Sequence, residues 1–140
     1  MKKIFLLNVL NLLMCITVVG QSGLLTIAEK SEYKSTSKYQ DVISFIEELE
    51  KTSENLHIEY FAKSIEGRNI PLLIIGDPLP LNPADLENDE RIVVYIQANI
   101  HAGEVEGKEA TQMLARYLLD ENNSNILKNV VVLICPILNA

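Results

Sequence analysis

Apolar and polar positions alternate along this chain with periods that assign most of it to elements. From Val42 the apolar residues Val42, Ile43, Phe45, Ile46 and Leu49 recur at helical spacing, with Asp41, Glu47, Glu48 and Glu50 on the other side. This predicts an amphipathic helix that opens after a capping box, Ser37 with Gln40, and ends near Thr52. Leu56 to Ser64 alternates as a strand, Gly67 supplies a turn, and Asn69 to Ile75 returns as the second strand of a hairpin. Gly76 to Asp89 carries Pro78, Pro80 and Pro83 among Asp and Asn and reads as a loop.

Ile92 to Ile96 is a β-branched run of the kind found in strands covered on both faces. A helix from Glu104 to about Asp120 follows, with Val105, Ala110, Met113, Leu114, Tyr117 and Leu118 facing inward and Glu106, Lys108, Glu109, Gln112 and Arg116 in solvent. Val130 to Cys135 is a further buried-strand run. Strand, helix, strand predicts a parallel βαβ crossover, so the expected fold class is α/β: a mixed, mostly parallel sheet with helices on its faces.

At the amino end, Lys2 and Lys3 precede an apolar run from Ile4 to Val19, then the small residues Gly20, Ser22 and Gly23. The pattern predicts a signal peptide over residues 1–22, export to the periplasm or medium, and no membrane anchor once it is cleaved. Residues 23–36 are weakly patterned and read as a lead-in, and an ordered domain is expected over 37–140. Composition then narrows the partners. The 140-residue chain is 48% hydrophobic, enough for one modest core, and its net charge of −7 becomes two units more negative when the signal leaves. With no basic stripe, nucleic acid is excluded as a partner class, and nothing in the pattern sets an oligomeric state. Cys15 departs with the signal, and Cys135 is expected to be a lone buried thiol.

The candidate chemistry lies where the apolar strand ends. His101-Ala102-Gly103-Glu104 places an imidazole and a carboxylate, both ordinary Zn²⁺ donors, between a strand's carboxyl end and a helix's first turn. Ligands gather at that end of an open α/β sheet, and the free N–H groups of a helix start favour a carboxylate. His57, in the first hairpin strand, is expected to be a strand histidine rather than a ligand. Glu106 and Glu109 are expected on a solvated face.

Taken together, Ser64-Ile65-Glu66-Gly67-Arg68-Asn69-Ile70, His101-Ala102-Gly103-Glu104 and the strand ending Pro136-Ile137-Leu138-Asn139 resemble the amino-terminal part of the M14 family of zinc carboxypeptidases over residues 37–140. The resemblance implies a mixed eight-stranded sheet, a zinc held by His101, Glu104 and a second histidine far downstream, and hydrolysis of peptide bonds at or near the C-terminus of a peptide or protein substrate. Arg68 falls in a stretch outside the zinc site and reads as structural. Two departures stand out. Gly103 occupies a position where pancreatic-type members carry Arg, and the chain stops at Asn139-Ala140 where the family continues into N-x-D-G. The general base and the third ligand are therefore expected beyond residue 140, and the fragment is expected to be truncated and inactive alone. A zinc-dependent deacylase of N-acyl amino acids and a non-catalytic secreted binding protein are the alternatives.

Overall fold

The computed structural model describes residues 23–140; the signal-peptide expectation for residues 1–22 lies outside them. The elements are α1 (Ile27–Lys30), α2 (Tyr39–Glu50), β1 (Leu56–Lys63), β2 (Asn69–Ile75), β3 (Ile92–Gln97), α3 (Val105–Leu118) and β4 (Val130–Cys135), with short 3₁₀ turns at Pro83–Leu86 and Glu121–Ile126. The strands form one mixed sheet in the order β1-β2-β4-β3. β1 pairs with β2 and β2 with β4 antiparallel, and β3 with β4 parallel, so the predicted crossover is present.

The α2 periodicity translates directly into packing: Val42, Ile43, Phe45, Ile46 and Leu49 are all buried. They meet Leu56, Ile58, Leu73, Ile75, Val132 and Ile134 from the sheet and Ala115 and Leu118 from α3 in one cluster. Each such side chain taken from water contributes about 1.5–3 kcal/mol, so this cluster is the main source of stability. The cap differs from expectation. Ser37 is buried and outside the helix, Lys38 occupies the N-cap, and its backbone N–H donates to Asp41 Oδ2 at 2.8 Å. The helix starts one residue late because the Ser37 N–H is already committed to Glu109. Gly67 turns the β1–β2 hairpin at φ +79°, a conformation that costs a residue without Cβ nothing.

Three other expectations are corrected. β4 is covered as predicted, with Val131, Ile134 and Cys135 fully buried, but β3 is an edge strand whose Ile92 is 67% and Tyr95 52% exposed. A run of β-branched residues records a capacity for burial, and here no described element lies beyond β3. Second, order begins before Ser37, because the weakly patterned lead-in of residues 23–36 carries α1. Thr26 caps α1 by accepting from the Glu29 N–H while the Glu29 carboxylate accepts from the Thr26 N–H, and Thr26 and Ala28 are buried.

Third, α3 is turned from the face its apolar residues suggest: Leu118 is buried and Glu106 exposed as expected, but Ala110 is exposed and the expected solvent residues Lys108, Glu109 and Gln112 are buried. Thr111 and Ala115 are buried as well, whereas Tyr117 is 54% exposed. Residues 24–37 account for this. Arg116 grips the Glu29 carboxylate with both terminal nitrogens, at 2.8 and 2.6 Å, and donates to the Leu24 carbonyl. Glu109 accepts from the Ser37 N–H, the Thr36 hydroxyl and the Ala28 N–H. This polar clasp covers α3 as an apolar layer would.

The other end of α3 sits tightly on the sheet. A Cβ at Gly107 would lie 3.3 Å from the Ala98 Cβ. Gly107→Val is therefore expected to lift the first turns of α3 from the end of β3 and destabilise by about 1–3 kcal/mol, as overpacking does. Gly107→Ala should cost less, because the gain in helix propensity offsets the contact. Urea unfolding of the two variants checks the order.

Candidate metal centre

His101 and Glu104 stand on the arc that joins β3 to α3. The parallel pairing of β3 with β4 runs on past both strands: the Ala98 N–H donates to the Cys135 carbonyl, Leu138 N–H to Ala98, and Asn139 N–H to Asn99. The sheet thus holds the start of the arc firmly. At Asn99 the backbone turns to φ +53°, the left-handed region that asparagine tolerates better than most residues with a Cβ. Glu104, the N-cap residue of α3, closes the arc with its N–H donating to the His101 carbonyl at 3.0 Å.

The two candidate side chains meet. His101 Nδ1 lies 3.0 Å from Glu104 Oε1, and the side chains are 76% and 67% exposed. Two donors bound about 2.0–2.1 Å from a tetrahedral ion lie about 3.3 Å apart, so the pair fits two positions of a zinc shell after a small adjustment. The open side leaves room for further ligands. Among the described residues no group of three or more His, Cys, Asp or Glu side chains is placed to hold a metal, so the arc offers two protein ligands and no third.

The remaining titratable candidates are elsewhere. His57 is in β1, the edge strand opposite β3, with Nδ1 3.5 Å from Glu50 and Nε2 3.3 Å from Glu59. It is a strand histidine, as expected. Glu106 is exposed, as expected, whereas the solvated setting expected for Glu109 is corrected, since its carboxylate is turned to residues 28–37. Arg68 pairs with Glu66 at 2.6 Å and stacks over Tyr39, 5.7 Å from the ring centroid, and this is a structural setting. Burial pushes the Cys135 thiol up to about 11, which keeps it protonated and unreactive at neutral pH.

A depression of about 740 Å³ is lined by Asp77, Asp85, Asp89, Arg91 and Lys128 and contains neither His101 nor Glu104. Two of its carboxylates are engaged: Arg91 grips Asp89, and Asp85 accepts from the Leu81 and Asn82 N–H groups. The arc remains the candidate metal centre because donor geometry, not concavity, defines a metal site.

Sequence reasoning missed Asn99. Its side chain is pinned beneath the arc, and Nδ2 lies 3.1 Å from the His101 carbonyl, 3.2 Å from Glu104's and 3.4 Å from Ala102's. The signal was an asparagine two residues after a strand, where left-handed backbone is frequent.

With fold and arc described, the class is clear. This chain belongs to the zinc carboxypeptidase family, whose model matches residues 42–140. Its structure is similar to the carboxypeptidase A of Helicoverpa armigera (26% identity, TM-score 0.60), with 74% of this chain and 24% of that one covered. Two further likenesses concern the fold alone. A metallo-carboxypeptidase from Burkholderia cenocepacia matches at 18% identity and TM-score 0.60, covering 73% of this chain and 27% of that one. Bovine thrombin-activatable fibrinolysis inhibitor, solved with a tick carboxypeptidase inhibitor, matches at 17% identity and TM-score 0.60, covering 76% and 32%. The chain therefore spans between 24% and 32% of the length of these relatives. No curated protein matches it. No helix among the described residues is long and apolar enough to cross a membrane.

Proposed function

We propose that this chain is the amino-terminal part of an exported zinc metallocarboxypeptidase and that His101 and Glu104 are two of the ligands of its catalytic zinc. The observation that carries the reading is the 3.0 Å meeting of His101 Nδ1 with Glu104 Oε1 at the head of α3, inside the segment matched by the family model. When bound, zinc polarises the scissile carbonyl and lowers the pKa of a coordinated water from about 15.7 toward 7. The chain's own part is to hold and orient. His101 offers a ring nitrogen, Glu104 a carboxylate whose charge suits the helix start, and the sheet fixes the arc that carries both.

A general base does not come from Glu109, whose carboxylate is buried and engaged by three donors. Residues 1–140 by themselves are accordingly expected to show no peptidase turnover. The signal pattern of residues 1–22 supports export, and the acidic mature chain supports peptide substrates over nucleic acid.

The test incubates the product of the full gene with two substrate classes, peptides ending in a free carboxylate or an amide and N-acyl amino acids, and reads the products by mass spectrometry. Loss of single C-terminal residues from the free-carboxylate peptides, stopped by a chelator, is the expected result. Cleavage of N-acyl amino acids instead would identify a deacylase, and no turnover on either class would leave a non-catalytic binding protein; both overturn the proposal.

A further inference from the structure

Both carbonyl-rich turns of the arc face one side chain. Asn99 is 6% exposed, and its Nδ2 lies within hydrogen-bonding distance of the carbonyls of His101, Ala102 and Glu104. Two of those carbonyls belong to the residues whose side chains meet above. The orientation of the amide is unambiguous on electrostatic grounds, because an oxygen in that position would face three other oxygens. Two amide hydrogens serve three acceptors, so the arc is drawn around one point instead of being tied at one carbonyl. The backbone of Asn99 is fixed independently, by the Asn139 N–H donating to its carbonyl. Asn139 adds a fourth tie when its Nδ2 donates to the Ile100 carbonyl at 3.2 Å.

We infer that Asn99 is the positioning residue of the metal arc: its side-chain amide sets the separation of His101 and Glu104 and so tunes zinc affinity without touching the ion. This rests on the zinc reading of the preceding section. The physical reason is that both ligand side chains are largely exposed and, among the described residues, make no other side-chain hydrogen bond than the one to each other. Their geometry is therefore inherited from the backbone below them, and that backbone is held by Asn99. Partners that orient metal ligands are worth about ten- to a hundredfold in metal affinity.

Two substitutions separate the amide from the backbone turn. Asn99→Gly keeps the freedom to adopt positive φ and removes the amide. Asn99→Asp keeps the shape and the tolerance for that backbone but presents oxygens to three carbonyls. Zn²⁺ titration of the 140-residue chain is followed by calorimetry and at the His101 ring by NMR, with the Leu73 and Ile134 methyl signals reporting the distant core, and His101→Ala as the calorimetric reference. The expected result is saturable zinc binding at His101 in the unsubstituted chain, weakened about tenfold or more in both variants while the core signals stay in place. Unchanged affinity in either variant would show that the amide is not needed and would overturn the inference while leaving the zinc reading intact. A chain that shows no zinc-dependent shift at His101, or whose affinity survives His101→Ala, would remove the zinc reading itself and the inference with it.

Discussion

His101→Ala and Glu104→Ala are each expected to weaken zinc binding by about a hundredfold or more, close to 3 kcal/mol. The estimate follows from a comparison. Removing a residue that merely orients a ligand costs about ten- to a hundredfold, and removing one of the only two ligands on the arc must cost at least the upper end. The two variants should be alike in this loss and alike in leaving stability unchanged, since both side chains are exposed and outside the core cluster. His57→Ala, in the opposite edge strand, should leave zinc affinity untouched. Calorimetric titration of the three variants, paired with urea unfolding, checks the pattern. If the proposed function holds, the first two variants abolish turnover in the product of the full gene.

Glu109→Ala is expected to be the most damaging change outside the apolar core. The carboxylate accepts from Ser37 N–H at 2.5 Å, Thr36 Oγ1 at 2.8 Å and Ala28 N–H at 3.4 Å. Truncation strands the Ser37 and Ala28 N–H groups in a buried setting, while the exposed Thr36 hydroxyl can turn to water, and unmet buried donors cost about 1–3 kcal/mol each where water cannot reach them. A loss of about 3 kcal/mol is expected, with the lead-in segment detached from α3. Glu109→Gln keeps the shape and one acceptor and should lose less. Hydrogen exchange at Ala28 and Ser37 reads the detachment directly.

The same clasp carries a pH dependence. Burial pushes the Glu109 carboxyl up, but the hydrogen bonds from Ser37, Thr36 and Ala28 outweigh it and hold it below the ordinary glutamate range. Arg116 holds Glu29 down in the same way, chiefly through its hydrogen bonds. A carboxyl whose folded value is depressed contributes its full stabilisation above its unfolded value, about 4.3, and loses it as the pH falls through the lower folded value. The lead-in should therefore loosen below about pH 4, and Glu109→Ala should flatten that acid dependence.

How much of this was legible depended on where each residue finds its partner. The face of α2, the β1–β2 hairpin and the βαβ crossover follow from periodicity because their burial patterns repeat within a few residues. The face of α3 did not, because Glu109, Gln112 and Arg116 look solvated until their partners, 70 or more positions away, are in place. The lead-in helix did have a local signal, the Thr26-x-x-Glu29 capping box, hidden in a segment short of apolar residues. β3 reads as a covered strand from its composition but is an edge in these residues, since composition says nothing about order in a sheet. At the arc, His101 and Glu104 were legible from residue type and spacing. Asn99 was legible only as a candidate left-handed turn after a strand, because the backbone carbonyls its side chain bonds leave no mark in the sequence.

Anomalous diffraction from zinc-soaked crystals of the chain tests the central claim most directly. The account predicts a zinc peak about 2.0–2.2 Å from both His101 Nδ1 and Glu104 Oε1. A peak at His57 between Glu50 and Glu59, or none at the arc under saturating zinc, would contradict it.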